Sequence, residues 1–265
     1  MATAPRPTRR AVLTGSAGAA LLAGGAAVAL RARGTAAVET RTFRSSAVRD
    51  DVTWAVSRPS APGTARPPVL LALHGKGGNH TDAFDALDLP GARGDLPVAV
   101  VSVDGGGTYF HHRRDGVDAG TMVATELLPR LADAGLDPSR LALLGWSMGG
   151  YGALLLAATL LRGRVRAVAT MSAALWTAPG DSAPGAFDDA EDFRAHDVFA
   201  LRPVLARVPL LVACGDSDPF VRADHAFVDG STPPPASRFT PGGHTTAYWR
   251  ATAPTAVRFL TPHLA

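Results

Sequence analysis

The chain is poor in cysteine and lysine, because each occurs once among its 265 residues, as Cys214 and Lys76. A single cysteine excludes an intramolecular disulfide and leaves stability to packing. The sequence shows no internal repeat, and no group of His, Cys and Asp residues has the spacing of metal ligands. We therefore expect no metal ion and no cofactor. A hydrophobic fraction of 46% over this length suits one α/β domain with a sizeable core.

The charge of the chain is unevenly distributed. Residues 1–34 hold 5 of the 26 basic residues and none of the 23 acidic residues, so residues 35–265 carry a net charge of −2. The basic character therefore belongs largely to the N-terminus and gives no support to a nucleic-acid partner. The abundance of Ala, Gly, Pro and Arg resembles the composition of proteins from high-GC bacteria.

Residues 1–34 have the pattern of an export signal. Arginines precede an uncharged run of small and apolar residues, Ala11–Leu30. Thr8–Arg10 with the residues that follow resembles the twin-arginine signal, which would make the export machinery a partner. Ala27–Ala29 offers a cleavage site, and a retained membrane anchor is the weaker alternative because the run is poor in Leu, Ile and Phe. We expect an exported protein, extracellular or in the cell envelope, whose folded domain is residues 35–265.

Two kinds of strand pattern follow the signal. Val38–Phe43 and Val52–Ser57 alternate apolar and polar residues, which predicts two half-exposed antiparallel strands. Five continuous apolar runs then suit strands that are buried on both faces of a parallel sheet. They are Val69–Leu73, Val98–Val103, Leu141–Leu144, Val165–Met171 and Val208–Val212. Helical patterns lie between them, so the sequence predicts an α/β fold with a doubly wound, mostly parallel sheet, an antiparallel start and helices on both faces.

The helices and one irregular connection complete the predicted fold. Helical patterns cover Asp82–Leu87, Thr121–Ala134, Gly150–Leu161 and a segment after Asp218. The C-terminus predicts two short helices, Thr245–Arg250 and Pro254–Leu264, with Thr252 as the cap of the second. Residues 173–207, called the cap segment below, begin with a stretch rich in Gly, Pro, Asp and Ala. We interpret this segment as a small cap over the carboxyl ends of the strands; a surface excursion is the alternative.

The stretch LALLGWSMGGYGALLL, Leu141–Leu156, places Ser147 between an apolar run and a helical pattern. Gly145 and Gly149 surround the serine in a G-x-S-x-G pattern, which suits a sharp strand-to-helix turn where bulky side chains would collide. A serine at this apex lies at a helix N-terminus, whose N–H groups can stabilise a developing oxyanion. An ordinary glycine-rich turn is the alternative interpretation.

A serine hydroxyl becomes a good nucleophile only when a base takes its proton, so Ser147 requires a histidine and a carboxylate farther along the chain. Asp216 and Asp218 follow the fifth apolar run, and His244 follows two glycines after the next predicted strand, Ser237–Thr240. The order serine, acid, histidine is that of an α/β-hydrolase. Asp218 is the preferred acid because it reaches beyond the strand tip, whereas Asp216 can stabilise the turn.

An oxyanion hole needs two backbone donors directed at one point. Met148, directly after the serine, offers one N–H. The loop HGKGG after the first buried run allows a close approach, with the N–H of Lys76 as first choice and that of Gly77 as second. A phosphate-binding loop is the alternative, but the spacing G-x-x-x-x-G-K-[ST] is absent. The residues considered for substrate contact are Trp146, His74 and Phe220.

Four segments together resemble a known family. LALHGKGG, GLDPSRLALLGWSMGGYGALL, CGDSDPF and PGGHTTAYWRATAPTAVRFLTPHL are similar to bacterial esterases of the α/β-hydrolase superfamily. The resemblance is greatest to the group of esterase D (S-formylglutathione hydrolase) and the antigen 85 mycolyltransferases, and it covers Val69–Leu264. It implies the following roles: Ser147 as nucleophile, Asp218 as acid, His244 as base, and Met148 with Lys76 or Gly77 as oxyanion donors.

The resemblance implies a serine esterase that cleaves small-molecule carboxylic esters through an acyl-enzyme, and the N-terminal signal predicts that this esterase is exported. Antigen 85 proteins have Glu as the acid and longer chains, so hydrolysis is favoured over acyl transfer to an envelope sugar or lipid alcohol. A third alternative is a catalytically silent fold that only binds, which the complete Ser–Asp–His set argues against. Residues 109–114 could line the site or contact an anionic group, or they could form a solvated loop. The oligomeric state is left open.

Overall fold

The structure, a computed structural model, describes residues 29–33, 36–60 and 65–265. Nine strands lie within these residues and form one sheet: β1 (Ala29–Arg33), β2 (Ala36–Arg44), β3 (Asp51–Ser57), β4 (Pro68–Leu73), β5 (Ala99–Val103), β6 (Asp137–Trp146), β7 (Val165–Met171), β8 (Leu210–Gly215) and β9 (Ala236–Thr240). Their order across the sheet is β1-β2-β3-β5-β4-β6-β7-β8-β9.

The sheet is antiparallel at its beginning and parallel afterwards. β2 pairs antiparallel with both β1 and β3, and β3 pairs antiparallel with β5. From β5 through β4 and on to β9, every neighbouring pair is parallel. This confirms the mostly parallel sheet with an antiparallel start that the sequence predicts. The carboxyl ends of the parallel strands therefore meet at one edge, where open α/β sheets bind ligands.

Burial on both faces explains the continuous apolar runs. Every residue of β4 and β5 is buried. Side chains alternate across the sheet, so Leu71 and Leu73 of β4 belong to one hydrophobic core while Leu70 and Ala72 belong to the other. Because both faces of these strands are covered, their apolar residues follow one another without alternation.

Helices cover both faces of the sheet. They are α1 (Asp82–Asp85), α2 (Leu89–Arg93), α3 (Ala119–Thr121), α4 (Leu128–Asp133), α5 (Met148–Ala158), α6 (Ala190–Ala195), α7 (Arg202–Leu205), α8 (Val221–Asp229) and α9 (Thr246–Leu260). A π-helical stretch, Met122–Leu127, joins α3 to α4. α5 and residues 119–133 pack in the core that contains Leu71, whereas α2 and α9 pack in the core that contains Leu70.

The two short C-terminal helices of the prediction are in fact one helix, α9, followed by a 3₁₀ turn at Thr261–Leu264. Thr245 rather than Thr252 caps it, because the Thr245 side chain accepts a hydrogen bond from the Tyr248 N–H at 3.2 Å. Pro254 lies inside the helix, where a proline costs about 3 kcal/mol. Burial of the adjoining helix face offsets this cost, and that face consists of Ala253, Ala256, Val257 and Leu260.

The cap segment lies against the loops that follow β4 and β5. It carries α6, α7 and a 3₁₀ turn at Pro179–Asp181. The Nζ of Lys76 donates to the carbonyl oxygen of Pro184 at 2.8 Å, and the guanidinium group of Arg113 lies 2.8 Å from the carboxylate of Asp188. Both contacts are at the carboxyl edge of the sheet, so the cap segment covers part of this edge.

The predicted export signal, residues 1–34, lies mostly outside the described residues. Within it the structure describes residues 29–33, which form β1 and pair with β2 from Ala29 against Thr40 to Arg33 against Ala36. In the part of the chain that the structure describes, no helix has the length and apolar character needed to cross a membrane.

Candidate active site

Ser147 lies on a sharp turn between β6 and α5. Its backbone has φ 54° and ψ −121°, a region that residues other than glycine rarely adopt. A Cβ at Gly145 would come within 2.0 Å of the Gly149 carbonyl oxygen, and one at Gly149 would come within 1.9 Å of the Leu73 carbonyl oxygen. The two glycines of the G-x-S-x-G pattern are therefore required by the close approach of β4, β6 and α5.

The hydroxyl of Ser147 faces His244, which lies on the loop between β9 and α9. Ser147 Oγ is 2.9 Å from His244 Nε2. The imidazole contacts the rings of Phe220 and Trp249, whose centroids lie 5.2 Å and 4.9 Å from its own. These edge-on contacts from two sides hold the ring in an orientation that directs Nε2 to the serine.

The second nitrogen of His244 faces Asp218, with 2.9 Å between Nδ1 and Oδ2. The other oxygen of Asp218 accepts the N–H of Phe220 at 2.9 Å, and the carboxylate is fully buried. Burial by itself would raise the pKa of Asp218, but the hydrogen bonds from His244 and the Phe220 N–H outweigh it and lower the pKa below its ordinary value. Asp218 is therefore an ionised acceptor at neutral pH.

Asp216, the other acid considered, lies away from the histidine. Its side chain is exposed, and its N–H donates to the carbonyl oxygen of Thr240 at 2.9 Å. The N–H of Asp218 donates to the carbonyl oxygen of Gly215 at 3.0 Å, which closes a tight turn after β8. This turn brings Asp218, and not Asp216, to His244.

Met148 and the loop after β4 lie on either side of Ser147. α5 begins at Met148, so the N–H of Met148 belongs to the first helical turn, which has no intrahelical acceptors. Gly75 in the loop lies directly against the serine, since a Cβ built on it would be 3.4 Å from the Cβ of Ser147. The backbone of this loop can therefore approach the same point as the N–H of Met148.

The turn Gly75–Gly78 carries both candidates for the second oxyanion donor. The N–H of Gly78 donates to the carbonyl oxygen of Gly75 at 3.0 Å, and Gly77 has φ 78° as the third residue of a type II turn. This hydrogen bond closes the turn without using the N–H groups of Lys76 and Gly77.

Two residues considered for substrate contact, Trp146 and His74, are buried side chains that support the site from behind. Trp146 is 2% exposed and packs beneath the loop, 3.3 Å from the position of a Cβ on Gly75. His74 Nε2 accepts the N–H of Gly105 at 2.9 Å, so its proton is on Nδ1, which lies 2.8 Å from the Gly75 carbonyl oxygen. His74 therefore ties the loop after β4 to the loop after β5.

Aromatic side chains surround Phe220, the third residue considered for substrate contact. The ring of Phe220 is 5.5 Å from that of Trp176 in the cap segment. Trp176 is in turn 5.6 Å from Tyr109 and 6.0 Å from Phe187. The three residues Ser147, His244 and Asp218, called the triad below, are thus bordered by an apolar, aromatic surface to which the cap segment contributes.

Residues 109–114 begin in the interior, at Tyr109 to His111, and end at the surface, where the side chains of His112 and Arg114 are exposed. The first three side chains of this range are at most 3% exposed. Arg113 pairs with Asp188 and Arg114 pairs with Asp189, both in the cap segment. The Arg113 pair and the Arg114 N–H lower the pKa of Asp188 to about 2. The two arginines therefore link the cap segment to the loop after β5. Their charges are already paired with aspartates and are not available to an anionic substrate.

A comparison with protein families identifies the chain. Residues 45–260 match the family described as "Putative esterase". The chain belongs to this esterase family. No curated protein sequence matches it. The match spans the turn at Ser147, the loop after β4, Asp218 and His244, in agreement with the resemblance of the four sequence segments.

Solved structures of esterases share the fold. A ferulic acid esterase has a TM-score of 0.75 at 22% identity, over 85% of this chain and 98% of that chain. An S-formylglutathione hydrolase from Agrobacterium tumefaciens has a TM-score of 0.76 at 17% identity, over 90% and 99%. FphF, a fluorophosphonate-binding serine hydrolase of Staphylococcus aureus, has a TM-score of 0.74 at 19% identity, over 86% and 99%. The esterase therefore has the α/β-hydrolase fold that the sequence predicts.

Behind the triad the esterase buries a carboxyl group to which the sequence gives no clue. Asp224 on α8 is fully buried, and among the described residues neither of its oxygens has a hydrogen-bond partner. Burial raises the pKa of Asp224 well above its ordinary value, the neighbouring Cys214 partly offsets this rise, and the negative charge of Asp218 adds to it. The folded protein therefore keeps this carboxyl group protonated above the pH at which an exposed aspartate ionises.

We predict that Asp224→Asn changes how stability depends on pH. In the unfolded chain the Asp224 carboxyl ionises above its ordinary pKa of 3.8, whereas in the folded protein it retains its proton. The wild type therefore loses unfolding free energy as pH rises, by at most about 1.4 kcal/mol per pH unit. The variant lacks this loss. The difference in unfolding free energy, variant minus wild type, should increase between about pH 4 and about pH 7 in urea denaturation.

Asp229→Asn is the matched control, because Asp229 is on the same helix with an exposed side chain. This variant removes an exposed carboxylate from the same helix, so a comparison of the two variants isolates the effect of burial at Asp224. A difference for Asp224→Asn that changes with pH no more than that for Asp229→Asn would show that the folded protein does not retain this proton.

Proposed function

We propose that this esterase hydrolyses carboxylic esters of small molecules through an acyl-enzyme at Ser147, with His244 as general base and Asp218 as the acid of the triad. One observation carries most of the support: Ser147 Oγ is 2.9 Å from His244 Nε2, and His244 Nδ1 is 2.9 Å from Asp218 Oδ2. A hydroxyl, an imidazole and a buried carboxylate in this order form the arrangement that activates a serine for acyl transfer.

In the first half of the reaction, Ser147 Oγ attacks the carbonyl carbon of the ester. His244 Nε2 takes the hydroxyl proton as the new C–O bond forms, and Asp218 stabilises the resulting imidazolium through the Nδ1–H hydrogen bond. The imidazolium then gives this proton to the departing alkoxy oxygen as the ester C–O bond breaks. The alcohol leaves, and the acyl group remains on Ser147.

The carbonyl oxygen carries a negative charge in the tetrahedral intermediate and needs donors that are already in position. The N–H of Met148 at the start of α5 supplies one, and the N–H of Lys76 or Gly77 in the facing turn supplies the other. Fixed donors of this kind stabilise the charge without reorganising, and the loss of one costs roughly 100-fold to 1,000-fold in kcat.

Water completes the reaction. His244 Nε2 takes a proton from a water molecule whose oxygen attacks the acyl carbon, and the imidazolium returns a proton to Ser147 Oγ as the acyl-enzyme bond breaks. The carboxylic acid leaves and the serine hydroxyl is restored. Phe220 and Trp176 beside the triad form an apolar border, which favours an acyl group that is itself apolar or aromatic.

The esterase acts after export in this proposal. Support comes from the sequence of residues 1–34, in which Arg9 and Arg10 precede the uncharged run Ala11–Leu30. Expressed in a high-GC bacterial host, the wild type should be recovered outside the cytoplasm, and the double change Arg9→Lys with Arg10→Lys should leave it inside. Equal export of both proteins, or retention of both, would refute the twin-arginine route.

The two neighbouring acids allow a matched test of the triad. Because Asp218 Oδ2 is the acceptor for His244 Nδ1, Asp218→Asn should lower kcat for a p-nitrophenyl ester by about 10,000-fold. Asp216→Asn, two residues away and exposed, should change kcat by no more than about threefold, as expected of a surface change.

Ser147→Ala sets the background rate in the same assay, and circular dichroism confirms that each variant is folded. A loss at Asp216→Asn that exceeds the loss at Asp218→Asn would move the acid to Asp216. Full activity of Ser147→Ala would remove the proposed nucleophile altogether.

A further inference from the structure

Outside the triad, three side chains with metal-ligating atoms meet where the cap segment joins the body of the domain. His111 lies on the loop after β5, Asp192 is on α6, and His196 follows α6 directly. One nitrogen of each histidine and one oxygen of the aspartate all lie within 4.8 Å of one another. Two imidazoles and a carboxylate are a donor set that proteins use for zinc.

The distances between these atoms are close to those of metal ligands. His196 Nδ1 is 2.9 Å from Asp192 Oδ1, and His111 Nδ1 is 3.7 Å from the same oxygen. Ligands about 2.1 Å from a tetrahedral zinc ion stand about 3.4 Å apart. The two distances to Asp192 Oδ1 are therefore within about half an ångström of the spacing of zinc ligands.

Other groups hold the ligating residues in place. His111 Nε2 is 3.0 Å from the carbonyl oxygen of Ala186, Asp192 Oδ2 accepts the N–H of Asp188 at 2.8 Å, and the carbonyl oxygen of His196 accepts the hydroxyl of Tyr151 at 2.7 Å. Metal-bound histidines typically donate their other ring N–H to a carbonyl or carboxylate in this way. The remaining atoms, His111 Nδ1, Asp192 Oδ1 and His196 Nδ1, lie within 4.8 Å of one another, and His196 Nδ1 is also 3.0 Å from the carbonyl oxygen of Asp192.

His111 also shows an imbalance that a cation would remove. When Nε2 donates its proton to Ala186, Nδ1 is a bare acceptor, yet it lies 2.9 Å from the carbonyl oxygen of His112 and 3.7 Å from Asp192 Oδ1. Its lone pair therefore faces two oxygens. The ring is 1% exposed and lies 4.3 Å from the imidazole of His196. A cation bound here would interact favourably with the Nδ1 lone pair and with both of these oxygens.

We propose that His111, Asp192 and His196 bind one divalent transition-metal ion of the zinc class, with water or a backbone carbonyl as the remaining ligand. Two nitrogen donors favour this class over magnesium or calcium, which prefer oxygen. The sequence does not reveal the site. Asp192 and His196 are only four residues apart, but His111 is distant in the chain and comes close to them only in the folded protein.

The ion would fasten the cap segment to the body of the domain. The rings of His111 and Phe187 stack at 5.3 Å, and Phe187 lies 6.0 Å from Trp176, which borders the triad. A metal that links α6 to the loop after β5 would therefore restrain the aromatic surface beside the active site. This role does not depend on the proposed ester hydrolysis, so each proposal can fail without the other.

The test uses the full chain purified without a polyhistidine tag and dialysed against a chelator. Calorimetric titration with Zn²⁺ should give one ion per chain, and Co²⁺ should give the visible absorption bands of a four-coordinate site. Zn²⁺ should also raise the Tm of the wild type, because an ion that binds only the folded state stabilises it.

Asp192→Asn and His196→Gln should each weaken Zn²⁺ binding by at least about tenfold, a loss typical of damage to a metal site. The matched control is His112→Ala, since His112 is next to His111 but its side chain is 64% exposed. This variant should keep the stoichiometry and the affinity. Circular dichroism of each metal-free variant confirms folding, and the wild-type Tm measurement needs no variant.

Two results would overturn the proposal. One is the absence of stoichiometric binding and of any rise in the wild-type Tm. The other is binding that persists unchanged in Asp192→Asn and His196→Gln, which would assign the ion to other histidines and leave the cluster as an aspartate hydrogen-bonded to a histidine.

Discussion

The backbone of Ser147 is held in a conformation that costs roughly 1–3 kcal/mol for a residue other than glycine. Two backbone hydrogen bonds restrain Ser147 in this conformation. The N–H of Ser147 donates to the carbonyl oxygen of Met171 at 3.1 Å, and the Ser147 carbonyl oxygen accepts the N–H of Ala174 at 3.0 Å. Gly145 and Gly149 admit the crossing of backbones that this turn requires. The position of the hydroxyl, and hence every contact of the candidate site, depends on this restraint.

The order of the strands assembles the rest of the site. β6, β7 and β8 are neighbours in the sheet and parallel, so the turns after them open at one edge. Ser147 follows β6, Asp218 follows β8, and His244 follows the adjacent edge strand β9. The loop after β4 adds the turn Gly75–Gly78 beside Ser147, the loop after β5 adds part of the aromatic surface, and His74 ties these two loops together. A rigid sheet thus positions groups that are far apart in the chain.

The sequence was most informative where one local constraint dominates. The run Val165–Met171 predicts β7 because it is mostly apolar, as a strand covered on both faces requires, and the structure has a strand with these bounds in which only Arg166 is exposed. The sharp turn at Ser147 is recognisable in the sequence because two backbones meet there and only glycine fits between them. Family membership follows from the same segments, and the order Ser147, Asp218, His244 anticipates the three side chains that the structure brings together.

Features that depend on contacts between distant parts of the chain could not be predicted from the sequence. Pro254 predicts the start of a helix in the sequence, but α9 continues past this proline because one face of the helix is buried. Trp146 sits beside the nucleophile in sequence, but strand alternation directs its ring into the core. The meeting of His111 with Asp192 and His196 has no sequence signature at all, because a loop and a helix supply it separately. Asp224 likewise has no recognisable pattern, since burial alone makes it unusual.

The most direct measurement of the central claim is rapid-quench mass spectrometry of the intact protein during turnover of a p-nitrophenyl ester. The account predicts a transient species heavier than the free protein by the acyl group minus one hydrogen, with the added mass on the peptide that contains Ser147. Turnover with the added mass on another residue, or turnover with no covalent species under conditions where a burst of p-nitrophenol is seen, would contradict it.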